Sequence, residues 1–145
     1  MNKTMVDLIR KTPYKRITLP IELRRVLNEG LIIHSDCLFF YYFYNANSHL
    51  KEEIFVDKTQ YEHFVNEIHF DDFCRKCSVN HIFVFANQLK KKLNESGITL
   101  PIRIVVSSDN GSISMSFSTK HEGEKPWIDI PDIDSYRQPI MIIEA

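Results

Sequence analysis

Residues 112–119 read SISMSFST, with Ile113, Met115 and Phe117 alternating against Ser112, Ser114, Ser116 and Ser118. A period of two belongs to a β-strand, so one side of this strand faces a core and the other is small and polar. The preceding run PIRIVVS, residues 101–107, reads as a second strand, and Asp109-Asn110-Gly111 between them supplies a tight turn. This hairpin commits the chain to a sheet with one buried face.

Other segments keep a helical period. Val79, Ile82, Phe83, Ala86, Leu89 and Leu93 predict a helix from about Ser78 to Ser96, stopped by Gly97 and with Lys90, Lys91 and Lys92 near its C-terminal end. TLPIELRRVLNEG, residues 18–30, predicts a short helix with Pro20 in its first turn and Gly30 at its end. Thr59 and Glu62 are spaced as a capping box, and Tyr61, Phe64, Val65 and Ile68 follow at helical spacing. CLFFYYFYN, residues 37–45, reads as a strand covered on both faces, and EEIFVD, residues 52–57, as its hairpin partner across an intervening loop. PIMIIE, residues 139–144, is the last strand.

The expected fold is α+β: a mixed, mostly antiparallel sheet of about five strands packed against two or three helices, in one domain over residues 1–145. A 43% hydrophobic content is enough for a core. No apolar run of about 18 residues is present, which argues against a membrane span, and the N-terminus lacks the pattern of a signal peptide. Cys37, Cys74 and Cys77 are odd in number and ill suited to a disulfide scaffold, so a cytoplasmic setting is expected.

The formal net charge of −1 hides four blocks. Residues 1–25 carry seven bases against two acids, and residues 29–72 carry nine acids against two bases. Residues 73–107 are again basic, and residues 108–145 acidic. Segregated charge steers charged partners.

Chemistry-bearing patterns are sparse. Cys74, Cys77 and His81 have a spacing that can ligate zinc, but a second pair of ligands is missing nearby; His69 is the one further candidate. The segment reads as a helix on which Phe70, Phe73, Cys74 and Cys77 form an apolar stripe, so core cysteines are expected. There is no G-x-S-x-G elbow and no phosphate-binding glycine loop among only four glycines. No enzyme activity, metal or cofactor is expected.

RITLPIELRRVL, residues 16–27, resembles the strand–proline–helix segment of AbrB-type swapped-hairpin DNA-binding modules, through Ile17, Leu19, Pro20, Arg24, Arg25 and Leu27. The resemblance implies a DNA-binding regulator as the alternative reading. The near-zero net charge disfavours a nucleic-acid partner, because phosphate neutralisation dominates such affinity.

Residues 120–138 form a long stretch without strand or helix pattern between the last two strands, and such loops are often functional. Within it Glu122, Glu124, Asp129, Asp132 and Asp134 are interleaved with Trp127 and Tyr136, a combination suited to plugging a basic cleft. These seven residues are the candidate partner-binding set. Ile128, Ile130 and Ile133 are expected to face the fold, and Asp129, Asp132 and Asp134 to face outward. A second acidic region comprises Glu52, Glu53, Asp57, Asp71 and Asp72.

The size, the single α+β domain and the ending KHEGEKPWIDIPDIDSYRQPIMIIEA, residues 120–145, are similar to those of the small immunity proteins of bacterial contact-dependent growth inhibition systems. That resemblance implies an antitoxin that binds a cognate toxin domain, often a nuclease, and blocks its active site or substrate groove.

Overall fold

The computed structural model covers residues 1–145 and is α+β, with every strand pairing antiparallel. Strands β4 (Ile102–Asp109) and β5 (Ser112–Thr119) form the expected hairpin, turning through Asn110 and Gly111, both at positive φ. β3 (Ile68–His69) pairs with the outer edge of β5, and β6 (Ile140–Glu144) with the outer edge of β4, giving the order β3-β5-β4-β6. A separate two-stranded ribbon joins β1 (Leu31–His34) to β2 (Cys37–Phe40).

Ile102, Ile104, Val106, Ile113, Met115 and Phe117 are all buried on one side of the sheet, as the alternation predicts. They pack on helices α1 (Lys3–Lys11), α2 (Ile21–Asn28) and α5 (Val79–Glu95) in one core. Along α5, Val79, Ile82, Phe85, Ala86, Leu89 and Leu93 are buried. Each large apolar side chain among them contributes about 1.5–3 kcal/mol. That outweighs intrinsic helix preferences of roughly 0.7 kcal/mol per residue or less, so packing rather than propensity holds the helix in place. Ser78 caps it, with His81 completing a capping box.

The opposite face of the sheet is not bare. Residues 120–138 lie across it, and Ile128 joins Val105 and Ile140 in a small second core, with Ile133, Tyr136 and Ile142 against it. The N-terminus is sewn to the same edge. Asn2, 1% exposed, accepts from the Met5 amide to cap α1, accepts from the Ile140 amide, and donates to the Gln138 carbonyl. The capped helix α1 was not foreseen in the sequence; Asn2, followed by Met5, Leu8 and Ile9, was its available signal.

Three local expectations are corrected. The run 37–45 is strand only to Phe40 and then turns into the short helix α3 (Tyr41–Ala46). The partner of β2 is β1, not residues 52–57, whose one regular piece is a single 3-10 turn at Glu52–Ile54. The β1–β2 turn places Ser35 and Asp36 at φ 51° and 62°, the left-handed pair that a two-residue hairpin of this twist requires. Without a glycine, the turn was not visible in the sequence. Finally, Thr59 does not cap helix α4 (Lys58–Val65). Asp57 does so by accepting from the Gln60 amide, while Glu62 turns inward. Ile68 lies beyond this helix, in β3, and Phe64 is 55% exposed.

The cysteine segment also differs from expectation. Residues 73–78 are irregular rather than helical, and Cys74 and Cys77 form a disulfide with Cα atoms 5.8 Å apart. A short non-helical turn brings the pair together, whereas the helical reading placed both in an apolar stripe.

Candidate partner-binding site

Helix α4 lies between the β1–β2 ribbon and β5, so it buries more than one side. This explains why polar residues on it are fully enclosed. Glu62 is 0% exposed, and its two carboxylate oxygens accept from the Leu38 amide (2.7 Å), the Thr119 amide (3.0 Å), the Thr119 hydroxyl (2.8 Å) and His121 Nε2 (2.8 Å). Asn66, also 0% exposed, accepts from the Phe40 amide and donates to the Leu38 and Phe117 carbonyls. Together they join the end of β5 to β2, two strands of different sheets. Burial nevertheless holds the Glu62 carboxyl above the usual carboxylate range, the loss of water outweighing these hydrogen bonds.

One helical position away, His63 is 2% exposed and packs on Ser116. The Ser116 hydroxyl donates to the His63 carbonyl at 2.8 Å, so the hydroxyl accepts from ring Nδ1–H at 2.6 Å. Nε2 is then unprotonated, and it has no hydrogen-bond partner. Burial first, and the charge of Arg103 second, push the imidazole down to about 3. Trp127 covers the ring, with centroids 5.0 Å apart and planes 22° from parallel.

The seven candidate residues divide into two groups. Glu124 reaches α4, where its carboxylate accepts from the Lys58 and Thr59 amides and the Thr59 hydroxyl, which holds it below the usual range despite some burial. Asp134 accepts from the Lys3 amide at the start of α1. Tyr136 packs in the second core, and its hydroxyl accepts from the Asp129 amide. Trp127 covers His63 and remains 47% exposed. These four tie the loop down. Glu122, Asp129 and Asp132 project side chains into solvent without a partner. Ile128 and Ile133 face the fold as expected, but Ile130 is exposed, because it sits in a turn closed by the Asp132 amide on the Asp129 carbonyl rather than in an alternating segment.

The second acidic region converges on the first. Glu52, Glu53, Phe55, Val56, Asp57, Lys58 and Glu124 line one open groove of about 530 Å³. Val56 in its wall and Ile54 beside it are 88% and 65% exposed, and exposed Phe64 lies tilted against Phe55 with ring centres 5.4 Å apart. Lys58, the one base in the groove, has its ammonium 3.4 Å from Asp36. Asp71 and Asp72 lie on a separate turn after β3 and do not line it. Glu124 also lines a smaller polar cavity of about 170 Å³ under Trp127, where Arg103 and Lys120 both pair with Glu144.

Two groups each bring three metal-ligand atoms within 4.8 Å of one another. Cys74 and Cys77 are consumed by their disulfide, while His81 Nδ1 accepts from the Ser78 amide. In the group of Cys37, Glu62 and His121, burial pushes the Cys37 thiol up to about 12, and the Glu62 oxygens are already filled.

The AbrB-like segment does not form its strand: residues 13–20 carry no regular structure before α2. Arg25 is held on its own helix by Glu29 at 3.0 Å and Glu22 at 4.0 Å, and lies over the Tyr42 ring.

The fold is thus that of an α+β domain in which a long loop and a short helix cover the second face of an antiparallel sheet. The chain belongs to the family described as the Uncharacterized protein PM0498 family, which it matches over residues 1–145. No curated protein and no solved structure matches it.

Proposed function

We propose that this protein is an immunity protein: a stoichiometric inhibitor, without turnover of its own, that neutralises a toxin domain with a basic active-site or substrate groove. A nuclease is the toxin class that such a surface would suit. The observation that carries this reading is the groove where Glu52, Glu53, Asp57 and Glu124 meet beside exposed Ile54, Val56 and Phe64. Acidic groups accelerate and orient docking on a basic surface, and apolar side chains at the centre supply contact area. The neighbouring Glu122, Asp129 and Asp132 extend the same sign of charge. The proposal places the complex in the cytoplasm, where an antitoxin has to meet its toxin.

The test is co-expression with the product of the gene directly upstream, where a cognate toxin gene would lie, followed by titration of the purified pair. Glu52→Lys/Glu53→Lys with Val56→Asp is expected to abolish protection and weaken binding by 100-fold or more, about 2.7 kcal/mol or more. These side chains are at least partly exposed, so the variant should melt near the parent. Full protection by a folded variant would sink the assignment of this groove. No protection by the parent against that toxin would sink the immunity reading.

A further inference from the structure

A second groove lies on another part of the molecule, between the end of α1, the segment 13–17 and the first half of α5. Its volume is about 700 Å³, and Ile9, Ile17, Phe83 and Val84 supply apolar walls. Lys15 and Arg16 line it as well, and Tyr14 beside them is 88% exposed. Arg10 and Lys11 end α1 at its margin. None of these four bases pairs with a carboxylate.

The backbone here is as open as the charge. From Tyr14 to Leu19 no amide or carbonyl makes a hydrogen bond within the protein; the flanking Pro13 and Pro20 carbonyls accept from the Asn80 side chain and the Arg24 amide. Burial alternates over the last four of these residues, with Arg16 and Thr18 exposed, Ile17 half-buried and Leu19 2% exposed, while Tyr14 and Lys15 before them are both exposed. That is the pattern of a strand with one face on the core and no neighbour.

We propose that this groove binds an acidic, extended peptide segment of a partner protein by strand addition to residues 14–19. Apolar side chains on one side of the peptide enter between Ile17, Phe83 and Val84. Its carboxylates meet Arg10, Lys11, Lys15 and Arg16 around the groove, and its backbone pairs with the open backbone of the segment. An apolar wall favours a peptide over nucleic acid, whose backbone would contact the bases alone. The proposal is independent of the acidic groove, which lies on α4 and has the opposite charge.

The probe is a fluorescein-labelled peptide of about eight residues, alternating aspartate or glutamate with valine, isoleucine and phenylalanine, titrated against the full chain by anisotropy. Saturable binding is expected, weakened at least tenfold by Lys15→Glu/Arg16→Glu. Hydrogen exchange should slow at the amides of residues 14–19 when the peptide is added. No saturation up to about 1 mM overturns the proposal. So does unchanged affinity in the charge-reversed variant, or protection confined to other residues. A short random-sequence DNA duplex, titrated in parallel, binds more weakly if the groove is a peptide site; tighter binding that is lost in the same variant replaces the proposal with a nucleic-acid site.

Discussion

The single tryptophan, Trp127, lies flat against the imidazole of His63, 5.0 Å between ring centres, and closes a buried histidine whose Nε2 has no partner. Protonation would place an N–H at that atom with nothing to accept it. Stability above pH 6.5, the ordinary histidine value, is therefore unaffected by this group. As pH falls from 6.5 toward about 3, the unfolded chain takes up the proton and the folded chain does not, so stability is lost. At pH 4.5 this amounts to about 3 kcal/mol, at 1.36 kcal/mol per pH unit. Glu62 has the opposite sign, since its raised pKa favours the folded state below the usual carboxylate value of 4.5 and loses that contribution as pH rises through it. Urea denaturation at pH 7 and 4.5 isolates the histidine by comparison with His63→Gln, whose loss between the two pH values should be smaller. Equal losses in parent and variant would contradict the assignment.

Glu62 links β2 to the end of β5 through four donors, so Glu62→Ala strands two buried amides, a hydroxyl and a histidine. A destabilisation of roughly 3–5 kcal/mol is expected, well above that of an exposed carboxylate. Equilibrium unfolding of Glu62→Ala beside Glu122→Ala checks this, with the latter expected within about 0.5 kcal/mol of the parent.

Glu124 fastens the long loop to the start of α4. Glu124→Ala removes a charge-assisted cap and should cost about 1 kcal/mol. Because Trp127 lies three residues further on, the same variant should raise acrylamide quenching of its fluorescence. Quenching equal to the parent's would mean that the apolar contacts of Ile128 hold the loop without the carboxylate.

Cys37 is fully buried, and its thiol is pushed up to about 12 by that burial. In the folded protein it should resist iodoacetamide at pH 8 and react only after denaturation. Mass spectrometry of native and urea-treated samples reads this directly; rapid native labelling would show that the β1–β2 ribbon opens.

The alternation of residues 112–119, the period of residues 79–95 and the punctuation by Gly97 and by Asn110-Gly111 were legible in the sequence, because each is a local pattern whose repeat matches one backbone geometry. The acidic loop was also legible as a segment without regular structure. What the pattern left undecided was which of its carboxylates are free. Glu124 and Asp134 are spent on helix starts that lie 66 and 131 residues away in the chain. The aromatic run at 37–45 has no period at all, so where strand gives way to helix depends on the pairing with β1, whose end is Leu31 opposite Phe40, and on the contacts of Leu38 and Phe40 with Glu62 and Asn66. The inward turn of Glu62 likewise contradicts its local fit to a capping box, since four distant donors offer more than one nearby amide. The sequence by itself determined the elements whose hydrogen bonds are local or whose apolar faces are periodic. Tertiary structure alone decided which polar groups are buried and which acids share a groove, because those depend on partners brought together by folding rather than by spacing.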